Sequence, residues 1–111
     1  MRTPSELIEY RAELYKDGDG EGIFGLYSHK SEFRKFFSDS ERFSEHFSNL
    51  ARNTQHAGLK IVKEEIKGKL AEVNFVEYIV EGEGMATYYT KTHLLREEEG
   101  WYILRERREQ G

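Results

Sequence analysis

The sequence predicts an α+β fold in which helices come first and a four-stranded antiparallel sheet follows. Three features carry that reading. Apolar residues recur at helical spacing as far as Gly58 and at a spacing of two beyond it. Glycines at 68, 82, 84 and 100 divide the second half into four strand-length runs. Helix-capping residues stand ahead of the helical runs, as Thr3, Asp19 and the stretch Ser38-Asp39-Ser40-Glu41.

In Thr3-Pro4-Ser5-Glu6, Thr3 can cap, Pro4 fills the first turn where its missing N–H costs nothing, and Glu6 completes a capping box. The helix runs to about Lys16. Leu7, Ile8, Ala12, Leu14 and Tyr15 form its apolar arc, with Arg11 in the middle of it. Asp17 to Gly22 is a turn, and Ile23, Phe24, Leu26 and Tyr27 suggest a short second helix capped by Asp19. After the polar break Ser28-His29-Lys30-Ser31, Phe33, Phe36 and Phe37 make a short helical or irregular patch. Phe43, His46, Phe47, Leu50, Ala51 and Thr54 then mark a long third helix. Gly58 is expected to stop it, with His56 near its negative end. The strand runs are about 59–67, 69–80, 85–96 and 101–108, joined by hairpin-sized links, so the sheet is read as a meander. The last run has Trp101 and Ile103 on one side and Tyr102 and Leu104 on the other, which suggests helices on one sheet face and a partner on the other.

A length of 111 residues fits one domain spanning 1–111. Only 37% of the residues are hydrophobic, but seven Phe, seven Tyr and one Trp each bury a large area, so a core is within reach. A net charge of −4, mixed evenly along the chain, argues against nucleic-acid or anionic-membrane binding. The absence of cysteine excludes disulfides, thiolate zinc sites and thiol nucleophiles. No apolar run reaches membrane-spanning length and Met1-Arg2-Thr3-Pro4 lacks a signal peptide's apolar core, so a cytoplasmic protein is expected.

Helices followed by a curved antiparallel sheet resemble the nuclear transport factor 2-like superfamily, the α+β cone that includes ketosteroid isomerases and polyketide cyclases. Within it, the chain resembles the central domain of the bacterial SEC-C-motif proteins. Pro4, Leu7, Arg11, Tyr15, Gly18 and Asp19 have that domain's N-terminal spacing. Gly58 to Val62, Ala71 to Val76, Leu94 to Glu97 and Gly100-Trp101-Tyr102 follow its strands in order. The cysteine motifs that flank the domain in those proteins are missing here. The resemblance implies three helices packed on a curved four-stranded sheet, with a small pocket between them.

Arg11 is the most informative polar residue, because a guanidinium on a packed apolar stripe needs a carboxylate or carbonyls. Glu77 is its expected partner, since it interrupts the inward set Ala71, Val73, Phe75 and Ile79. Across the hairpin Glu77 should fall opposite roughly Thr90. The resembled domain tends to carry a glutamate at the Thr90 position and a small residue at the Glu77 position, which implies a carboxylate moved across the ladder. Arg11, Tyr15, Glu77, Tyr88, Thr90 and Thr92 are therefore expected to form the polar end of an aromatic ligand pocket.

Glu77 is also the one candidate catalytic base, with Tyr10 or Tyr15 as the phenol, because Asp17, Asp19 and Asp39 all lie in turns or caps. An adjacent arginine would weaken it. Asp17, Asp19, Glu21, Gly22 and Phe24 imitate the start of an EF-hand loop, but Ser28 stands where the bidentate glutamate belongs. None of His29, His46, His56 and His93 forms a helical metal-binding pair, so neither metal nor cofactor is expected. Arg105, Arg107 and Arg108 alternate with Glu106 and Glu109 and read as solvated charge. The functional expectation is a domain that binds a small apolar ligand or acts as a dimeric scaffold paired through its sheet. One alternative is an isomerase, cyclase or hydratase using Glu77; another is a protein-interaction module working through the sheet face around Tyr89, Lys91 and His93.

Overall fold

The computed structural model describes residues 1–111. Helix α1 spans Pro4–Asp17, and both halves of the Thr3–Glu6 capping box form. It stops at Gly18, whose φ of 70° lies in the left-handed region and turns its N–H back onto the Leu14 and Tyr15 carbonyls. The Asp19 side chain caps a single turn, α2, at Gly20–Phe24, and Ser31 caps another, α3, at Glu32–Phe36. Asp39 caps α4, Ser40–Ala51, by accepting from the Arg42 N–H. The phenylalanine patch is thus helical.

The expected stop at Gly58 is not where α4 ends. The helix finishes at Ala51, and strand β1 begins at Thr54, so His56 lies on a strand and not at a helix terminus. Thr54, Gln55 and His56 pair with Glu81, Val80 and Ile79, and those ladder bonds outcompete two further helical turns. Gly58 serves the sheet instead: a Cβ there would meet the Tyr78 ring at 3.2 Å.

Strands β1 (Thr54–Lys67), β2 (Leu70–Glu81), β3 (Gly84–Glu97) and β4 (Gly100–Gln110) form an antiparallel meander in the order β1-β2-β3-β4. Strict alternation is broken three times. The β1–β2 register slips between His56 and Gly58 and again between Ile61 and Lys63, and the β3–β4 register slips at the β4 segment opposite His93 and Leu94. Each extra residue reverses the in–out order of the residues beyond it. Ala57 lets His56 and Leu59 both face the helices. Leu104 lets Trp101 and Ile103 share a face with Glu106 and Arg108, because His93 pairs with Arg105 and Thr92 with Glu106.

The core lies between this face and α1, α2 and α4, with Ile8, Ile23, Val73, Phe75, Leu94 and Ile103 sealed from solvent. The loop after α2 adds a rung to β4: Ser28 N–H donates to the Ile103 carbonyl and Ile103 N–H to the Leu26 carbonyl, both at 2.8 Å. No helix is long and apolar enough to cross a membrane. Phe75→Ala is expected to cost about 3–5 kcal/mol in urea unfolding, whereas Val62→Ala, at a residue 62% exposed, should stay within about 0.5 kcal/mol.

Candidate functional site

The inward face carries two polar groups, separated by the Tyr15 ring. The first is built on Arg11, which is 2% exposed. Its partner is Glu106, not Glu77. Nη1 and Nη2 donate to the two carboxylate oxygens at 2.7 and 2.8 Å, a bidentate fork. Nη1 also donates to the Tyr27 hydroxyl at 3.0 Å, and that hydroxyl donates on to Glu106 at 3.1 Å. Thr92 donates to the other carboxylate oxygen. The bulge at Leu104 is what brings Glu106 inward, so its place among solvated C-terminal charges is also corrected; its side chain is 23% exposed.

Burial opposes both charges of this pair. For Arg11 the attraction of Glu106 more than reverses it and holds the guanidinium charged well above its ordinary range. For Glu106 burial pushes the carboxyl up, but Arg11 and the donors Thr92 and Tyr27 outweigh it and lower the carboxyl. Burial pushes the Tyr27 and Tyr15 phenols up, so both stay neutral at ordinary pH and Tyr27 remains a donor.

The second group is His56 with Glu77. His56 Nε2 lies 3.0 Å from Glu77 Oε2, with the side chains 1% and 7% exposed. Tyr15 stacks on the imidazole with ring centroids 6.0 Å apart and an interplanar angle of 6°. His56 Nδ1 is enclosed without a partner. The Glu77 carboxylate can only accept, so Nε2–H donates to it and is the imidazole's single side-chain hydrogen bond.

Above this pair opens a cleft of about 380 Å³. It exists because α4 stands off the sheet. The helix buries only Phe43 and Phe47 and leaves His46, Leu50 and Ala51 along the opening. Phe33, Phe37, Phe43 and Phe47 form one wall, linked edge to face, tilted or, between Phe43 and Phe47, stacked, at centroid distances of 4.9–5.9 Å. Glu81, Tyr88 and Arg108 stand at the mouth. The Tyr88 hydroxyl donates to Glu81, which raises its pKa, and the Arg108 guanidinium covers its ring at 3.9 Å.

Of the six pocket residues expected from sequence, Tyr15, Glu77 and Tyr88 line this cleft. Arg11 and Thr92 belong to the Glu106 network. Thr90 is buried with its hydroxyl unpartnered, and it pairs with Phe75; Glu77 stands opposite Tyr88. His56, Arg108 and the phenylalanine wall are additions that the sequence does not assign to the site. The adjacent small residues Ala57 and Gly58 are the one sequence signal of the bulge that turns His56 inward. No group of three His, Cys, Asp or Glu side chains is arranged to hold a metal ion.

No protein-family model matches the chain, and no curated protein matches it. Solved structures do. A SEC-C-motif protein from Rhodopseudomonas palustris superposes with a TM-score of 0.79 at 15% identity, over 95% of this chain and 77% of that one. A SEC-C-motif protein from Psychrobacter arcticus gives 0.71 at 19%, over 93% of this chain and 59% of that one. A domain of unknown function with a cystatin-like fold from Nostoc punctiforme gives 0.68 at 14%, over 96% and 78%. Proteins described as nuclear transport factor 2-like also match. The chain has the α+β fold these structures share, as the sequence resemblance implies.

The depressed pKa of Glu106 sets an acid limit. Its contribution to stability is complete above the unfolded carboxyl value of about 4.3 and disappears as pH falls through the lower folded value. Glu106→Gln should lower stability by about 3 kcal/mol at neutral pH and give a shallower loss of stability below about pH 4. Urea midpoints across pH would measure both.

Proposed function

Taking that shared fold as the premise, we propose that the chain is a small-ligand-binding domain whose ligand has an apolar body and one polar end. The observation that carries this reading is the aromatic cleft over an inward carboxylate. Its volume falls within the roughly 300–1,000 Å³ typical of small-molecule sites. A helix whose apolar stripe is left short of the sheet exposes surface that a ligand can cover, and Glu77 supplies an acceptor at its end. Benzyl alcohol, titrated while backbone amide resonances are followed by NMR, is expected to shift signals at Tyr15, Phe47 and Glu77. Ala51→Trp, which fills the cleft from α4, should abolish those shifts and leave the melting temperature within a few degrees. Shifts scattered over the surface, or unaffected by the tryptophan, would refute the reading.

One observation favours a second reading, in which Glu77 moves a proton. Arg11 is engaged by Glu106 and is not paired with Glu77, and His56 orients the Glu77 carboxylate. A cyclic enone in D2O should then exchange its acidic C–H protons for deuterium faster with the wild type than with Glu77→Gln. Equal rates would rule out this role.

A further inference from the structure

The charges around the cleft are unequal in depth, and that inequality points to a class of ligand. At the mouth, Glu81 and Arg108 bracket Tyr88, one on its hydroxyl and the other over its ring. Deeper in, Glu77 is 6% exposed and meets only His56. His56 Nε2 is the carboxylate's one hydrogen-bond partner and engages a single oxygen, Oε2. Its second oxygen, Oε1, has no partner in the protein and is not among the sealed orphan atoms, which are His56 Nδ1 and Thr90 Oγ1. Arg11, the nearest candidate counter-charge by sequence, is held bidentately by Glu106. A carboxylate oxygen held this deep without a donor is costly, and the N–H groups of a bound ammonium would supply one.

The walls suit the same ligand. Tyr15, Phe43, Phe47 and Tyr88 bring aromatic rings to the cleft, and ring faces attract cations most strongly where water is excluded. The protein already uses this interaction at the mouth, where the Arg108 guanidinium lies over Tyr88.

We propose that the cleft selects an organic cation, an ammonium group on an apolar or aromatic body, with the charge at Glu77 Oε1 and the body among the rings. This rests on the cleft being the ligand site, and the experiment separates the two ideas. Three probes of one size are titrated into the full chain at pH 7 by NMR: benzylamine, which is cationic; benzyl alcohol, which is neutral; and benzoate, which is anionic. Benzylamine is expected to bind about tenfold more tightly than benzyl alcohol, with benzoate weakest. Glu77→Gln should abolish the preference, so that benzylamine and benzyl alcohol bind within about twofold of one another. If the alcohol binds in the cleft as tightly as the amine, charge selection is wrong and the cleft reading stands. If none of the three binds, both are wrong. The wild-type comparison decides between these outcomes even if Glu77→Gln fails to fold. A preference for the amine that survives in a folded Glu77→Gln protein would overturn the assignment to Glu77.

Discussion

A guanidinium enclosed in the middle of an apolar helix stripe has to be neutralised, and the carboxylate that does so comes from the far end of the chain. Arg11 and Glu106 bind the first helix to the last strand, with Tyr27 and Thr92 completing the donor set from the loop after α2 and from β3. Such a pair adds little net stability over apolar residues of the same shape, because the cost of desolvating it is large. What it does impose is geometry. A fork of two short bonds fixes α1 along and around its axis, and Tyr15, one turn beyond Arg11 on the same face, is thereby set against His56.

The sheet meets this demand through departures from regularity. With unbroken alternation β4 would turn Arg105 and Arg107 toward Arg11, a repulsive arrangement. One extra residue at Leu104 presents Glu106 instead. The slip at Ala57 does the same for His56, bringing an imidazole to Glu77 where continuous alternation from Leu59 would have turned it outward. Both polar groups on the inward face thus depend on a bulge, and bulges also bend the strands that carry them. The cleft arises from a mismatch of a different kind. Helix α4 is apolar along more of its length than the sheet beneath it contacts, so Phe43 and Phe47 are buried and the rest of the stripe borders open space.

The features legible in the sequence are those set by local chemistry. Thr3 with Glu6, Asp19, and the glycines at 68, 82 and 100 mark helix starts and hairpins through short-range hydrogen bonds and positive φ, and they occur where expected. Arg11 and Glu77 are recognisable as inward-facing because each interrupts an apolar period. Their partners are not recognisable. Pairing depends on the parity of distant strands, and a single inserted residue reverses it without changing composition: Glu106 sits in a run of alternating charge that looks solvated. The end of α4 is misplaced by sequence for a related reason, since Thr54 to His56 continue a plausible helical pattern and only pairing with Glu81 to Ile79 makes them a strand. Tyr15, Glu77 and Tyr88 come together because they share the face set by the two regular strands and α1. Thr90, two residues along from Tyr88, is buried with its hydroxyl unpartnered.

The rung between Leu26–Ser28 and Ile103 has an effect at the border of the sheet. A meander leaves two outer strands with unsatisfied peptide groups, and such borders invite end-to-end addition of other chains. Here the loop takes up the border groups of Ile103 in the first half of β4, and the second half bears Arg105, Glu106, Arg107, Arg108 and Glu109 in succession. The β1 border is interrupted by two bulges and carries Lys60, Lys63, Glu64, Glu65 and Lys67. A strand from another chain laid against either border would meet a displaced backbone or a row of charge. The bulge that turns His56 inward thus also disrupts the β1 border, while on β4 the loop and the charges serve that end.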